Sequence, residues 1–133
     1  MESQISKTEN LRILIVDDDL STRRLIASFI KRAWPCQILE AEDGLEALTI
    51  LLKDRTDVDL IILDMTIPHI NGFDVLRIIR SKRRFQELPI IACTSVSRTQ
   101  DVNEVLKHGV QGYVVKPIDK QLLIQRISQA LGS

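Results

Sequence analysis

A chain of 133 residues with 18 basic and 18 acidic side chains has no formal net charge. That removes any overall electrostatic pull toward nucleic acid or an anionic membrane. No apolar stretch approaches the roughly 20 residues of a membrane span, and the polar opening segment, residues 1–10, lacks the apolar centre of a signal peptide. A cytoplasmic protein without membrane contact is expected. The two cysteines, Cys36 and Cys93, stand far apart, in no C-x-x-C and with no histidine pattern to complete a zinc site. They read as reduced thiols, with Cys93, inside an apolar run, belonging to the core. Neither a G-x-G-x-x-G nor a Walker loop follows any apolar run, which excludes a dinucleotide-binding reading. Repeats and low-complexity segments are also missing. The length suits one domain that buries roughly two-thirds of its unfolded surface, with no room for a second.

What is present is organised around Val58 to Gly72, V-D-L-I-I-L-D-M-T-I-P-H-I-N-G. Leu60 to Leu63 form an unbroken apolar run, as a strand covered on both faces requires, and the run stops at Asp64. Pro68 cannot continue a ladder, and Asn71-Gly72 signals a turn or helix start before Phe73, Val75, Leu76, Ile78 and Ile79 resume at helical spacing. Asp64 therefore sits at the carboxyl end of a strand, the rim where open parallel sheets bind ligands, although a single acid there could simply cap a turn.

The same punctuation recurs along the chain. Leu11 to Val16 is an apolar run ended by Asp17, Asp18 and Asp19, and Leu20 to Ala33 carries Leu25, Ile26, Phe29 and Ile30 on one helical face until Trp34-Pro35 stops it. Gln37 to Ala41 reads as an edge strand. Asp43-Gly44 opens a second helix through Leu45, Leu48, Leu51 and Leu52. After a helix from Gly72 to Arg80, Ser81 to Glu87 reads as a polar, basic surface loop. Pro89 to Cys93 is a strand ending in Thr94-Ser95, and Asp101 to His108 is a helix with Val102, Val105 and Leu106 on one side, closed by His108-Gly109. Gly112 to Val115 is a last strand ending in Lys116-Pro117. Asp119 then caps a helix carrying Leu122, Leu123, Ile127, Ala130 and Leu131. Five strands alternating with five helices predict a three-layer α/β fold with a parallel sheet and right-handed crossovers.

In a parallel sheet the strand ends share one edge, which would gather Asp17, Asp18, Asp64, Thr94 and Lys116. Three carboxylates repel unless a cation joins them, and hard oxygens without His or Cys favour magnesium or manganese. A lysine and a hydroxyl complete the set that phosphoryl transfer needs, with one carboxylate free to act as nucleophile. Asp64, between the other ends, is the natural choice.

These residues resemble the response-regulator receiver domain, of the single-domain chemotaxis-regulator type, over Leu11 to Leu131, leaving residues 1–10 as a flexible tail. Val16-Asp17-Asp18 is similar to the family's acidic pair. Asp64, with Pro68 four and Gly72 eight residues on, is similar to its phosphoacceptor motif. Thr94 stands at its switch hydroxyl, Tyr113 at its switch aromatic, and Lys116-Pro117 at its lysine and proline, joined by a cis peptide. The resemblance implies a flavodoxin-like, doubly wound sheet of order 2-1-3-4-5. It implies a phosphoryl group passed from a histidine kinase or phosphotransfer protein to Asp64, with Mg2+, or Mn2+, held by Asp18, Asp64 and the Met65 carbonyl, and by Asp17 through water. The chain would be a signalling switch with no output domain, not an enzyme in the usual sense. Thr94 and Tyr113 would move to alter a protein-binding surface on the last two helices and last strand, with a phosphorylation-dependent homodimer left open. Ser95 replaces the usual Ala and Gly112 the frequent Asp, departures that could loosen the switch region. Thr66, two past the acceptor, occupies a position where the family varies and phosphate lifetime is tuned.

Other residues carry weaker readings. His69 is a solvated loop histidine, His108 belongs to a helix C-terminus, and Lys82, Arg83 and Arg84 form a solvated helix end rather than a nucleic-acid contact. Tyr113 could be core, and Ile124, off the main apolar stripe, could touch a partner. An aspartate-nucleophile phosphatase of the haloacid-dehalogenase type would want a second Asp where Thr66 stands, and a cap segment that is missing. A constitutive scaffold would not need the acids, Thr94 and Lys116 together.

Overall fold

The runs that end in acids, a hydroxyl or a lysine are strands of one sheet. The computed structural model describes residues 11–67, 70–95 and 99–132, so the expected tail, Pro68 and His69 lie outside the described residues. The strands are β1 (Leu11–Val16), β2 (Cys36–Ala41), β3 (Leu60–Asp64), β4 (Ile90–Thr94) and β5 (Gly112–Val115). Every pairing is parallel and the order is β2-β1-β3-β4-β5, the doubly wound, flavodoxin-like arrangement expected from the sequence. All residues of β3 are buried, as an uninterrupted apolar run predicts. Burying each such Leu or Ile contributes about 1.5–3 kcal/mol before chain entropy is set against it.

The helices are α1 (Leu20–Ala33), α2 (Gly44–Leu48, running on through a π-helical turn, Thr49–Lys53), α3 (Gly72–Ser81), α4 (Thr99–Lys107) and α5 (Lys120–Ala130). Four begin on an Asp or Asn whose side chain accepts an otherwise unpaired amide of the first turn. Asp19 takes Thr22 N–H, Asp43 takes Glu46 N–H, Asn71 takes Asp74 N–H and Asp119 takes Leu122 N–H. Alternation along the strands divides the core. Ile13, Ile15, Leu60, Ile62, Ile91 and Val114 meet α1 and α5 on one face. Leu14, Val16, Ile61, Leu63, Ile90 and Ala92 meet α2, α3 and α4 on the other. Among the described residues, no helix is long and apolar enough to cross a membrane.

Three details depart from the sequence reading. Ser81 to Glu87 is no plain surface loop: Arg83–Phe85 forms a 3-10 turn that tucks Phe85 into the core below α3. The helix expected from Asp101 begins at Thr99. Leu25, Leu45 and Leu106, assigned to apolar stripes, are 45%, 58% and 45% exposed. In α2 the buried face is Gly44, Ala47, Leu48 and Leu51, at spacings of three and four, and Leu45 lies off it.

One side chain fastens the end of α4. Arg80, on α3, donates through Nε and Nη2 to the Gly109 carbonyl at 3.1 and 2.7 Å, through Nη1 to the Phe85 carbonyl at 2.6 Å, and through Nη2 to Gln111 Oε1 at 3.1 Å. Gln111 Oε1 also receives the Ile90 N–H at 2.7 Å. Gly109 has φ +82°, a left-handed turn that glycine adopts without strain.

Candidate functional site

Because β1, β3, β4 and β5 run the same way, the residues that end them lie on one edge. Asp17 follows β1, Asp64 ends β3, Thr94 ends β4 and Lys116 follows β5. Asp17 and Asp64 are each 1% exposed. Lys116 Nζ donates to Asp17 Oδ2 at 2.8 Å and to Asp64 Oδ2 at 3.0 Å. Asp18 is exposed, and one oxygen of its carboxylate lies within 4.8 Å of one oxygen each of Asp17 and Asp64, which lie within that distance of each other as well.

The remaining acceptors are also engaged. Asp17 Oδ1 accepts the Asp19 N–H at 2.9 Å. Asp64 Oδ1 accepts the Thr66 N–H at 3.0 Å and the Thr66 hydroxyl at 3.1 Å. The Met65 carbonyl faces the start of α3, where Gly72 N–H donates to it at 3.2 Å. A Cβ on Gly72 would stand 2.4 Å from Met65 Cα and 3.0 Å from the Asp64 carbonyl, so only glycine lets α3 begin this close to the strand end.

Charge sets the chemistry. Burial raises the Asp17 carboxyl above its ordinary range, against the lowering effect of hydrogen bonds from Lys116 and the Asp19 amide. Burial alone would lower the Lys116 ammonium, but hydrogen bonds to Asp17 and Asp64 and their charges outweigh it, so its pKa lies above the ordinary 10.5. Three carboxylates facing one ammonium leave two negative charges on a set of hard oxygens. A divalent cation of the magnesium type fits that balance and that donor set.

Sequence reasoning located Asp17, Asp18, Asp64 and Lys116, and the fold brings these four together. Thr94 is buried at the next strand end, where its carbonyl accepts the Lys116 N–H at 2.8 Å. Tyr113 is half-buried on β5 and pairs in register with Ala92. Two-residue periodicity puts Tyr113 and Thr94 on the same face of the sheet, on neighbouring strands, one diagonal step apart. The Lys116–Pro117 peptide is cis.

Other neighbours were not singled out from sequence. Arg23 donates from Nη1 to the Asp17 carbonyl at 2.7 Å and from Nε to Glu40 at 2.8 Å, holding the loop after β1 against β2. Cys93, read only as core, pairs in register with Asp64. Burial, reinforced by the Asp64 charge, pushes its thiol up to about 12, which keeps it protonated and unreactive beside the acids. The parity of β3 and β4 could have indicated this pairing; nothing local could have indicated Arg23. His108 packs edge-on against Phe73, with ring centroids 5.2 Å apart, and its Nδ1 lies 2.8 Å from the Glu104 carbonyl, consistent with a place at the end of α4.

The sequence model of the response regulator receiver domain matches residues 13–128. A Campylobacter jejuni chemotaxis protein CheY homolog is 34% identical over 123 residues, 92% of this chain and 94% of its own. Chemotaxis protein CheY1 of Helicobacter pylori is 37% identical over 123 residues, 92% of this chain and 98% of its own. Among solved structures, the chemotaxis protein CheY4 of Vibrio cholerae superposes with a TM-score of 0.82 at 26% identity, covering 91% of this chain and 98% of that one.

Proposed function

The chain belongs to the response regulator receiver domain family, and so to two-component signalling, and from that premise we propose that Asp64 accepts a phosphoryl group from a histidine kinase or phosphotransfer protein. The observation that carries the reading is the single ammonium, Lys116, held between the buried carboxylates of Asp17 and Asp64 with Asp18 alongside. A carboxylate oxygen of Asp64 attacks the donor's phosphorus, and the bond to the donor nitrogen breaks. Lys116 is placed to follow the charge from the carboxylate onto the phosphoryl oxygens. Asp18, Asp64 and the Met65 carbonyl would hold Mg2+, with Asp17 acting through water. The bound ion would supply the positive charge that offsets the equatorial oxygens in the transition state.

The acyl phosphate gives Thr94 an acceptor at the strand end, and Tyr113, on the same face, follows it inward. The altered surface is that of α4, β5 and α5, which would take a target protein or a second phosphorylated copy in the cytoplasm. Thr66 offers a hydroxyl and no carboxyl beside Asp64, which supports a phosphoacceptor over a phosphatase of the kind that uses a second Asp there. Incubation with acetyl phosphate and Mg2+ tests the reading. One hydroxylamine-labile phosphoryl group per chain, not formed when EDTA replaces Mg2+ from the start, is expected; steady release of phosphate from small esters without a labelled chain would contradict it.

A further inference from the structure

Charge is segregated on the face of the sheet covered by α1 and α5. Helix α1 carries Arg23, Arg24, Lys31 and Arg32, α5 carries Lys120 and Arg126, and neither contains an aspartate or glutamate, although the chain has no net charge. Arg23 is engaged by Glu40 and the Asp17 carbonyl. Arg24, Lys31, Arg32 and Lys120 form no ion pair among the described residues. The flanking acids, Asp19 and Asp119, are held as helix caps by Thr22 N–H and Leu122 N–H.

Between the two helices runs a groove of about 360 Å³. Phe29, Ala33 and Ile124 supply its apolar floor, and Arg32, Lys120 and two glutamines form its banks. Leu25, one turn before Phe29, extends the apolar strip along α1 and is 45% exposed. The groove lies apart from the β5 side of α5, where Arg126 packs over Gly112.

We propose that this groove docks an acidic amphipathic helix of a partner protein. A channel between two packed helices receives the ridge of a third, whose apolar residues at i, i+3, i+4 and i+7 would cover Phe29, Ala33 and Ile124. Basic banks with no acid select carboxylates on the flanks of that helix and repel lysines. A flat anionic bilayer presents no ridge to the channel between two helices, whereas the apolar face of a third helix does.

Trp34, the single tryptophan, directly follows Ala33 at the end of α1 and serves as the fluorescent probe. The full chain is titrated with a synthetic helical peptide bearing a leucine face and glutamate flanks, with a peptide of the same leucine face and lysine flanks, and with phosphatidylserine vesicles. Saturable binding of the glutamate peptide alone is expected, weakened at least about tenfold in R32E/K120E, the scale on which two charge reversals act. The I124E variant, which changes a half-exposed position, should weaken it similarly with circular dichroism unchanged. Equal binding of both peptides, undiminished binding by R32E/K120E, vesicle binding without peptide binding, or a Trp34 change caused only by raising the protein concentration would overturn the proposal.

Discussion

The Lys116 ammonium sits 3.0 Å from the Asp64 carboxylate across a sequence separation of 52 residues, and it reaches Asp17 at 2.8 Å from the same position. One cation thus stands between two buried anions. Removing it strands both charges in a site that water reaches poorly.

Lys116→Met should therefore lower stability by about 3 kcal/mol, the low end of the cost of orphaning a buried charge. Mg2+ should restore part of the loss by binding the same carboxylates. Urea unfolding with EDTA and with Mg2+ checks both halves; equal stability of the variant and the parent in EDTA would show that the lysine is not offsetting the acids.

The same contact fixes an alkaline limit. A lysine whose folded-state value is raised contributes stability that is complete below its ordinary 10.5 and is lost as pH rises through the higher value. Asp17, also raised, acts in the same sense in an acid window: ionising it costs stability as pH climbs from 3.8 through its folded-state value. Thermal midpoints measured above pH 10.5 should fall more steeply in the parent than in Lys116→Met, and parallel curves would contradict the assignment.

Gly72→Ala places a methyl group 2.4 Å from Met65 Cα, against main chain that cannot rotate away. A loss of about 1–3 kcal/mol is expected. If the Met65 carbonyl, which accepts from Gly72 N–H, holds Mg2+ as proposed, Mg2+ affinity should weaken alongside. Denaturant midpoints and a Mg2+ titration followed by calorimetry measure the two effects, and an unchanged affinity would separate α3 from the metal ligands.

Arg80→Ala leaves the Gly109 carbonyl without its donor and the Phe85 carbonyl with only the Leu88 N–H at 3.4 Å. Destabilisation of about 2 kcal/mol is expected for loss of charged hydrogen bonds of this kind, with faster amide exchange concentrated at Gly109 to Gln111. Exchange that rose evenly over the whole chain would show a general loss of stability instead of a released α4 end.

The sheet was legible because burial on both faces forces unbroken apolar runs, and the rim permits acids, a hydroxyl and a lysine where the runs stop. β1, β5 and α1 end where Leu11–Val16, Gly112–Val115 and Leu20–Ala33 predicted. The site residues were legible for the same reason, since parallel strands bring their ends together whatever the loops between them do. Contacts made at long range were not. Arg80 finds Gly109, 29 residues away, and Arg23 finds Glu40 across a crossover, partnerships that no local period records. Phe85 lay in a basic stretch whose composition concealed its burial, and in α2 the small Ala47 holds the core-facing place that apolar character alone had given to Leu45.

The central claim, that Asp64 is the acceptor to which the other strand ends are subordinate, is tested most directly by locating the bond. The chain labelled with acetyl phosphate and Mg2+ is reduced with borohydride, which converts an acyl phosphate to an alcohol, and is then digested and sequenced by mass spectrometry. Homoserine in place of Asp64, with no label in Asp64→Asn, is the predicted result. Reduction at Asp17 or Asp18, or a full label retained by Asp64→Asn, would contradict it.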